Sequence, residues 1–267
     1  MDVAERIAVV TGATSGIGKA TARRLAAEGS HVVLLARTDS DLEAVAEAIR
    51  AEGGTASVFP VDLADREAVE STAAEIRSAV GDPDILVNSA GIGDWVALWE
   101  AESGQFERIM AVTVFGAYNL ARQFLPSMLE RNRGYVVTIE SPAAHGPIPG
   151  ATAYQTARYA LRGLSESLRV DLHSTGIGVT SVIPGVVDSE YFERNDGVEE
   201  RLPGTAKSLD RLDPATVADG VLEGIRGEKN RVYKPETLRL LVLARRLFPN
   251  RFDSYTAERS WQPSRSE

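Results

Sequence analysis

The segment RIAVVTGATSGIG, residues 6–18, decides the fold. Its apolar stretch runs without polar interruption, as in a strand buried on both faces of a parallel sheet. Gly12, Gly16 and Gly18 follow in the spacing G-x-x-x-G-x-G, with Thr14, Ser15 and Ile17 between them, and a helical pattern begins at once. Glycines permit a tight turn and let the backbone approach a pyrophosphate. The helix N-terminus behind them offers free N–H groups and a partial positive charge. The spacing differs from the G-x-G-x-x-G of other dinucleotide folds. Alone it is a weak signal; directly behind a buried strand it points to a phosphate-binding turn.

The same rhythm repeats along the chain. Apolar, β-branched runs recur at 31–37 (HVVLLAR), 55–63 (TASVFPVDL), 84–91 (DILVNSAG), 134–141 (GYVVTIES), 178–185 (GVTSVIPG) and 230–235 (NRVYKP). Helical patterns fill the intervals: from Gly16 to Gly29, over 39–51 before Gly53-Gly54, over 65–80 before Gly81, and over 103–131 and 152–174. Glycine just past a periodic segment is a helix stop. The alternation predicts an α/β fold, a single doubly wound Rossmann-type domain across 1–267. Its sheet is mainly parallel and seven-stranded, with helices on both faces.

Two segments depart from the rhythm. Residues 188–213 are polar, charged and poor in strand formers. They fit either a solvated surface loop or a substrate lid, since long loops in compact domains are usually functional or disordered. The C-terminal extension, 236–267, carries LRLLVLARRLFP, which Pro249 ends. It is too short to span a bilayer. A helix packed on the domain or on a partner subunit is expected, with membrane-surface contact as the alternative.

Composition excludes several function classes. The 267 residues include no cysteine, so disulfides, thiolate metal sites and thiol nucleophiles are absent. His31, His145 and His173 lie far apart without ligand spacing, and no metal is expected. The net charge is −9 with no basic stripe, which argues against nucleic acid as a partner. The opening MDVAERIAVVTGA lacks the basic start of a signal peptide, and a cytoplasmic location is expected.

Four motifs carry a resemblance to a known family. TGATSGIG (11–18), VDL (61–63), NSAG (88–91) and PGVVDSEY (184–191) together resemble the short-chain dehydrogenase/reductase family, over residues 5 to about 235. The resemblance implies that the glycine loop holds the cofactor and that Asp62 and Leu63 meet its adenine. It places Asn88, Ala90 and Gly91 after the fourth strand and Pro184, Gly185 and Ser189 after the sixth, all against the cofactor. Ser189 stands where a threonine usually touches the nicotinamide carboxamide. Ser141 and Tyr154 fall on the family's catalytic serine and tyrosine. The tyrosine would pass a proton to or from a substrate oxygen that the serine holds.

Two catalytic positions are altered. Arg158 stands four residues after Tyr154, on the same helix face, where relatives carry a lysine. Thr113, in AVTVFG, replaces the usual asparagine. That lysine and asparagine normally hold a water of the proton relay. Arginine keeps the charge and can reach a ribose, but it is longer, planar and does not give up its proton. The expectation is a slowed or redirected site.

The second strand ends in LLART. An acid here would hold the ribose hydroxyls of NAD. Instead Ala36 precedes Arg37, which can pair with a 2′-phosphate and favours NADP(H) over NAD(H). A surface arginine capping the strand is the alternative.

Other residues carry two readings each. Glu140 could bind a cationic group or perturb Tyr154, or point away to solvent or a partner. His145 could line the substrate pocket or be a plain loop residue. Trp95 and Trp99 could wall an apolar substrate site or fill the core. Tyr159 faces elsewhere on its helix and cannot replace Tyr154.

The function expected is NADP(H)-dependent interconversion of a ketone and a secondary alcohol. The substrate would be a small, fairly apolar molecule. The alternatives are redox-neutral chemistry (isomerisation, cyclisation or elimination) and non-catalytic cofactor binding. Relatives associate through their two long helices, so a homodimer or homotetramer is expected.

Overall fold

A computed structural model describes residues 1–207 and 210–262. Ser208 and Leu209 of the predicted lid and residues 263–267 of the C-terminal extension lie outside the described residues. Seven strands form one sheet: β1 (Ile7–Thr11), β2 (His31–Ala36), β3 (Thr55–Pro60), β4 (Ile85–Asn88), β5 (Gly134–Ile139), β6 (Ile177–Pro184) and β7 (Arg231–Lys234). Their spatial order is β3-β2-β1-β4-β5-β6-β7, and every pair is parallel.

The continuous apolar runs have a simple cause. Side chains alternate across a strand, so a strand covered on both faces must be apolar at every position. Val10 and Leu34 are in register on one face; Val9 and Val33 are in register on the other. The first face, with Val32, Val87 and Val137, packs against α1 (Gly16–Ala27) and α2 (Asp39–Ala51) through Leu25, Leu42 and Ile49. The second face, with Leu35 and Leu86, packs against α3 (Arg66–Ala79) through Val69 and Ile76. The predicted doubly wound sheet is therefore present.

The segment expected as one helix over 103–131 is broken into parts. A short α4 (Gln105–Met110) runs through a π-helical turn, Ala111–Phe115, into α5 (Gly116–Glu130). Such widened turns cluster at functional sites, and this one carries Thr113. It packs on α6 (Thr152–Asp171), where Ile109, Val114 and Ala117 meet Ala153, Ala157 and Leu161.

Residues 188–213 contain three single turns of helix: α7 (Tyr191–Arg194), α8 (Val198–Arg201) and α9 (Gly204–Lys207). The segment's base is pinned by a parallel bridge between Val187 and Leu212. Then comes α10 (Pro214–Arg226), which the sequence reading did not place. Its start signals are nonetheless present: Asp213 caps it by accepting the Ala215 N–H at 2.8 Å, and Pro214 occupies the first turn. Val217, Val221 and Ile225 bury it on the α1 side of the sheet.

The C-terminal extension forms two helices. Pro249 does not merely end the first, α11 (Leu238–Leu247); it opens the second, α12 (Pro249–Glu258). Proline suits that first-turn position because its missing N–H has no helical partner there. Among the described residues, no helix is long and apolar enough to cross a membrane.

Candidate active site

In an open α/β sheet the ligand crevice lies beyond the carboxyl ends of the strands, where the strand order reverses. Here that point lies between β1 and β4. Thr11, the last residue of β1, joins them: its Oγ1 accepts the N–H groups of Ser89 and Ala90, both at 2.9 Å. A cavity of about 450 Å³ opens at this end of the sheet.

The glycine loop forms one wall. Gly12 (φ +65°) and Gly16 (φ +49°) adopt left-handed conformations that other residues rarely take. A Cβ on Gly18 would fall 2.2 Å from the Gly12 carbonyl oxygen, so only glycine permits this closeness. Ser15 caps α1 in extended geometry without a side-chain hydrogen bond to the helix, and the first turn holds no acid. The helix N-terminus is thus left for an anionic group, which fits a dinucleotide phosphate. Gly12, Ser15, Gly16, Ile17 and Gly18 all line the cavity, as does exposed Arg37 at the end of β2.

The opposite wall holds Ser141, Tyr154 and Arg158. Ser141 lies two residues beyond β5 and caps a short 3-10 turn, its Oγ accepting the Ala143 N–H at 3.2 Å. Tyr154, in the first turn of α6, donates its hydroxyl to Ser141 Oγ at 3.2 Å. One helical turn on, Arg158 is buried, with its guanidinium carbon 5.0 Å from the Tyr154 ring centroid. Its Nη1 donates to the Ile139 carbonyl at 3.3 Å, while its Nε has no protein partner.

Two glycines make room for this pair. A Cβ on Gly91 would lie 2.5 Å from Arg158 Nη2, and one on Gly93 would lie 2.4 Å from the Tyr154 ring. Ala90 and Gly91 line the cavity with Pro184, Gly185 and Ser189. Ser189 sits against the glycine loop, its Cβ 3.3 Å from where a Cβ of Gly16 would be.

Five of the residues expected at the site lie outside this cavity wall. Thr14 occupies the glycine turn but does not line the cavity. Asp62 is exposed and accepts the Ala64 N–H at 2.9 Å, and Leu63 is buried in the core with Val61 and Val69. Asn88 and Thr113 are buried behind the wall, and neither Asn88 Oδ1 nor Thr113 Oγ1 has a protein partner. A buried polar atom left unpaired costs about 1–3 kcal/mol, so these atoms mark positions for water or ligand.

The doubtful residues now have defined places. Glu140 does not point to solvent: it is 3% exposed, and His145 Nε2 lies 3.2 Å from its Oε2. Arg162 approaches His145 Nδ1 at 3.2 Å and can only donate, so Nδ1 accepts and Nε2–H donates to Glu140. The pair stiffens the turn behind Ser141 and also borders the cavity. Trp95 is buried on the cavity wall, 5.6 Å from the Tyr154 ring. Trp99 fits neither reading: it is 71% exposed and stacks on Trp261 at 6.3 Å.

Three contributors escaped the sequence reading. Tyr191 brings a second phenol into the site, 6.2 Å from Tyr154 between ring centroids. Its hydroxyl donates to the Gly93 carbonyl at 3.0 Å and accepts from Trp95 Nε1 at 3.3 Å. Burial first, and then neighbouring Tyr154, push this phenol well above its ordinary pKa, so it stays protonated. Asn195 accepts the Gly93 N–H at 3.0 Å and is buried. Arg194 reaches back to the glycine loop, its Nη1 3.5 Å from Ser15 Oγ. All three sit in the irregular 188–213 segment, where no periodicity announces which side chains turn inward.

Among the described residues there is no group of acids and histidines that could hold a metal ion.

Comparison with known proteins agrees with this architecture. A family model described as short chain dehydrogenase matches residues 6–199. The chain is 34% identical over 249 residues to a probable oxidoreductase, EphD, of Mycobacterium tuberculosis, covering 88% of this chain and 42% of that protein. It thus spans under half the length of that relative. It is 30% identical over 253 residues to mouse (Mus musculus) estradiol 17-beta-dehydrogenase 11, covering 94% of this chain and 82% of that one. A metagenomic short-chain oxidoreductase solved in complex with NADP superposes with a TM-score of 0.73 at 30% identity, covering 86% of this chain and 97% of that one. A strand-ordered sheet, a glycine loop at its switch point and a bonded serine–tyrosine pair meet in one polypeptide, and the chain belongs to the short-chain dehydrogenase family of oxidoreductases.

Proposed function

We propose that this protein is an NADP(H)-dependent oxidoreductase that interconverts a ketone and a secondary alcohol. The observation that carries the proposal is the 3.2 Å hydrogen bond between Tyr154 and Ser141, on the wall facing the glycine loop. Bound there, the nicotinamide would supply or accept the hydride. The Tyr154 hydroxyl, turned from Ser141, gives its proton to the carbonyl oxygen, while the Ser141 O–H, which donates to no group in the pair, holds that oxygen by hydrogen bond. Arg158 stays protonated beside the resulting phenolate. It stabilises the charge but cannot pass a proton on, so the donor refills from solvent by another route.

Arg37 supports the choice of NADP(H). It is exposed on the cavity wall and has no acidic partner among the described residues, so it is free to meet a 2′-phosphate. The related metagenomic enzyme holds NADP. The Tyr154 and Arg158 side chains would take the ribose hydroxyls. Trp95, Ile148, Tyr191, Phe192, Val198 and Leu202 give the remaining cavity an apolar lining, which suits a fairly apolar substrate. Residues 188–213 act as the lid, tied to the 93–95 loop through Tyr191 and Asn195.

Exposed Phe115, Tyr118 and Leu129 on α5 and its preceding turn, with Tyr159 and Val170 on α6, support association into a homodimer or homotetramer. The cysteine-free composition supports a cytoplasmic location.

The test is a titration with NADPH and NADH, then nicotinamide absorbance during incubation with a panel of apolar ketones. NADPH binding with ketone-dependent oxidation is expected. Binding without oxidation of any ketone would overturn the redox assignment.

A further inference from the structure

Helix α11 has two unlike faces. Leu238, Leu241, Val242 and Arg245 turn inward to the wall of the cavity. Leu240, Leu243 and Leu247, spaced i, i+3, i+7, form a stripe on the opposite side and are 67%, 49% and 62% exposed. Phe248 extends the stripe at 58% exposure. Nothing within the described residues covers it.

Charge distinguishes this patch from the rest of the surface. From Glu236 to Gln262 the chain carries five arginines against three acids, in a protein of net charge −9. Arg245 is engaged internally with Asp253 and the His145 carbonyl, and Arg259 lies over the Tyr255 ring. Arg239, Arg246 and Arg251 are exposed and have no acidic partner among the described residues. Arg239 and Arg246 flank the leucine stripe along the helix. Leucines facing outward with arginines at their edge suit an anionic lipid layer: acyl chains take the leucines and headgroups take the guanidiniums. A second copy of this chain fits less well. Between Leu238 and Leu247 the helix carries no acid, so a two-fold contact through α11 would offer its arginines no opposite charge from the partner helix.

An exposed tryptophan elsewhere on the surface is of the same character. Trp99, which is exposed, stacks on Trp261 just beyond α12, and the Arg201 guanidinium lies 4.3 Å over the Trp261 ring. Trp99 is the exposed member of this pair, and an exposed tryptophan is favoured at the membrane–water boundary.

We propose that α11 seats the protein on an anionic lipid surface, so that the cavity walled by the helix's inner face receives its substrate from that layer. The seating stands on the patch alone; the delivery of a ketone rests on the oxidoreductase reading above.

The full chain is mixed with vesicles of phosphatidylcholine alone, or with phosphatidylglycerol added, and floated through a density gradient. Two variants accompany it: Leu240→Glu/Leu243→Glu/Leu247→Glu, and Arg239→Glu/Arg246→Glu. All five positions are exposed and lie outside the cavity wall, so both variants are expected to fold and to turn over a short, water-soluble ketone as the parent does. The parent is expected to float with anionic vesicles and not with neutral ones. The arginine variant should partition at least about 25-fold less, since each arginine near such a surface is worth about fivefold. The leucine variant should not float. Failure of the parent to float with anionic vesicles, or equal flotation of parent and both variants, would overturn the seating. So would a halved particle mass of the leucine variant by light scattering without any vesicle effect, which would assign the stripe to a second copy. Flotation does not depend on turnover, so failure of the redox assay leaves this result readable.

Discussion

Arg158 lies over the ring of Tyr154. The guanidinium carbon stands 5.0 Å from the ring centroid, and Nη1 is committed to the Ile139 carbonyl. A cation over an aromatic face is attracted by the ring quadrupole, more strongly where water is excluded. The arginine therefore acts as a wedge between the end of β5, the 88–91 loop and the phenol. This geometry follows from its planar fork, which a lysine ammonium lacks.

The first prediction concerns that wedge. Arg158→Lys combined with Thr113→Asn restores a point charge and an amide at the two altered positions. Ketone reduction should rise by about tenfold, a partial recovery of general acid–base help. Steady-state kcat with NADPH measures it; unchanged or lower kcat would show that the site is not a redox site slowed by its relay.

Cofactor choice gives the second. Arg37→Asp should weaken NADPH binding by about 10- to 100-fold, the worth of a charge-assisted hydrogen bond of about 1.5–3 kcal/mol, and NADH much less. Arg194→Ala, whose side chain reaches Ser15, should lower NADPH affinity more modestly, because that arginine is shared with Glu190. Fluorescence titration of both nucleotides checks this. Equal losses for NADPH and NADH would remove Arg37 as the phosphate reader.

The third uses the two glycines beside the catalytic pair. Gly93→Ala drives a methyl group into the Tyr154 ring, which is packed by Trp95 and Tyr191 and cannot swing aside. Overpacking of this kind costs about 1–3 kcal/mol, and kcat should fall with it. Gly91→Ala meets only the end of the Arg158 guanidinium, so it should be milder in stability. Thermal unfolding alongside kcat separates the two, and a stability loss at Gly91 equal to that at Gly93 would contradict the geometry.

The 188–213 segment, proposed above as a lid, supplies the fourth. Tyr191→Phe removes the donor to the Gly93 carbonyl and the acceptor for Trp95 Nε1. With two buried groups unpaired, the closed lid should weaken by about 1–3 kcal/mol. The ketone KM should rise several-fold with kcat little changed, because Tyr191 does not carry the transferred proton. A large fall in kcat at constant KM would instead place Tyr191 in the chemistry.

Sequence by itself determined the scaffold and the elements that carry the catalytic pair. Strands covered on both faces must be apolar throughout, so the strands β1 to β7 were legible as runs, and glycine spacing marked the turn after β1 because only glycine tolerates that backbone. The start of α10 was legible in Asp213 and Pro214 yet was passed over, since the polar segment before it masked the change of period. Tertiary structure alone decided the rest. The π-helical turn at Thr113 packs on α6, a contact no local pattern encodes. Burial of Glu140 depends on His145 and Arg162 arriving from another turn and another helix to satisfy it. Tyr191, Arg194 and Asn195 reach the site from about 100 to 180 residues away in the chain. Such contacts are set by how the chain closes on itself, and a single sequence records only which residues are available to make them.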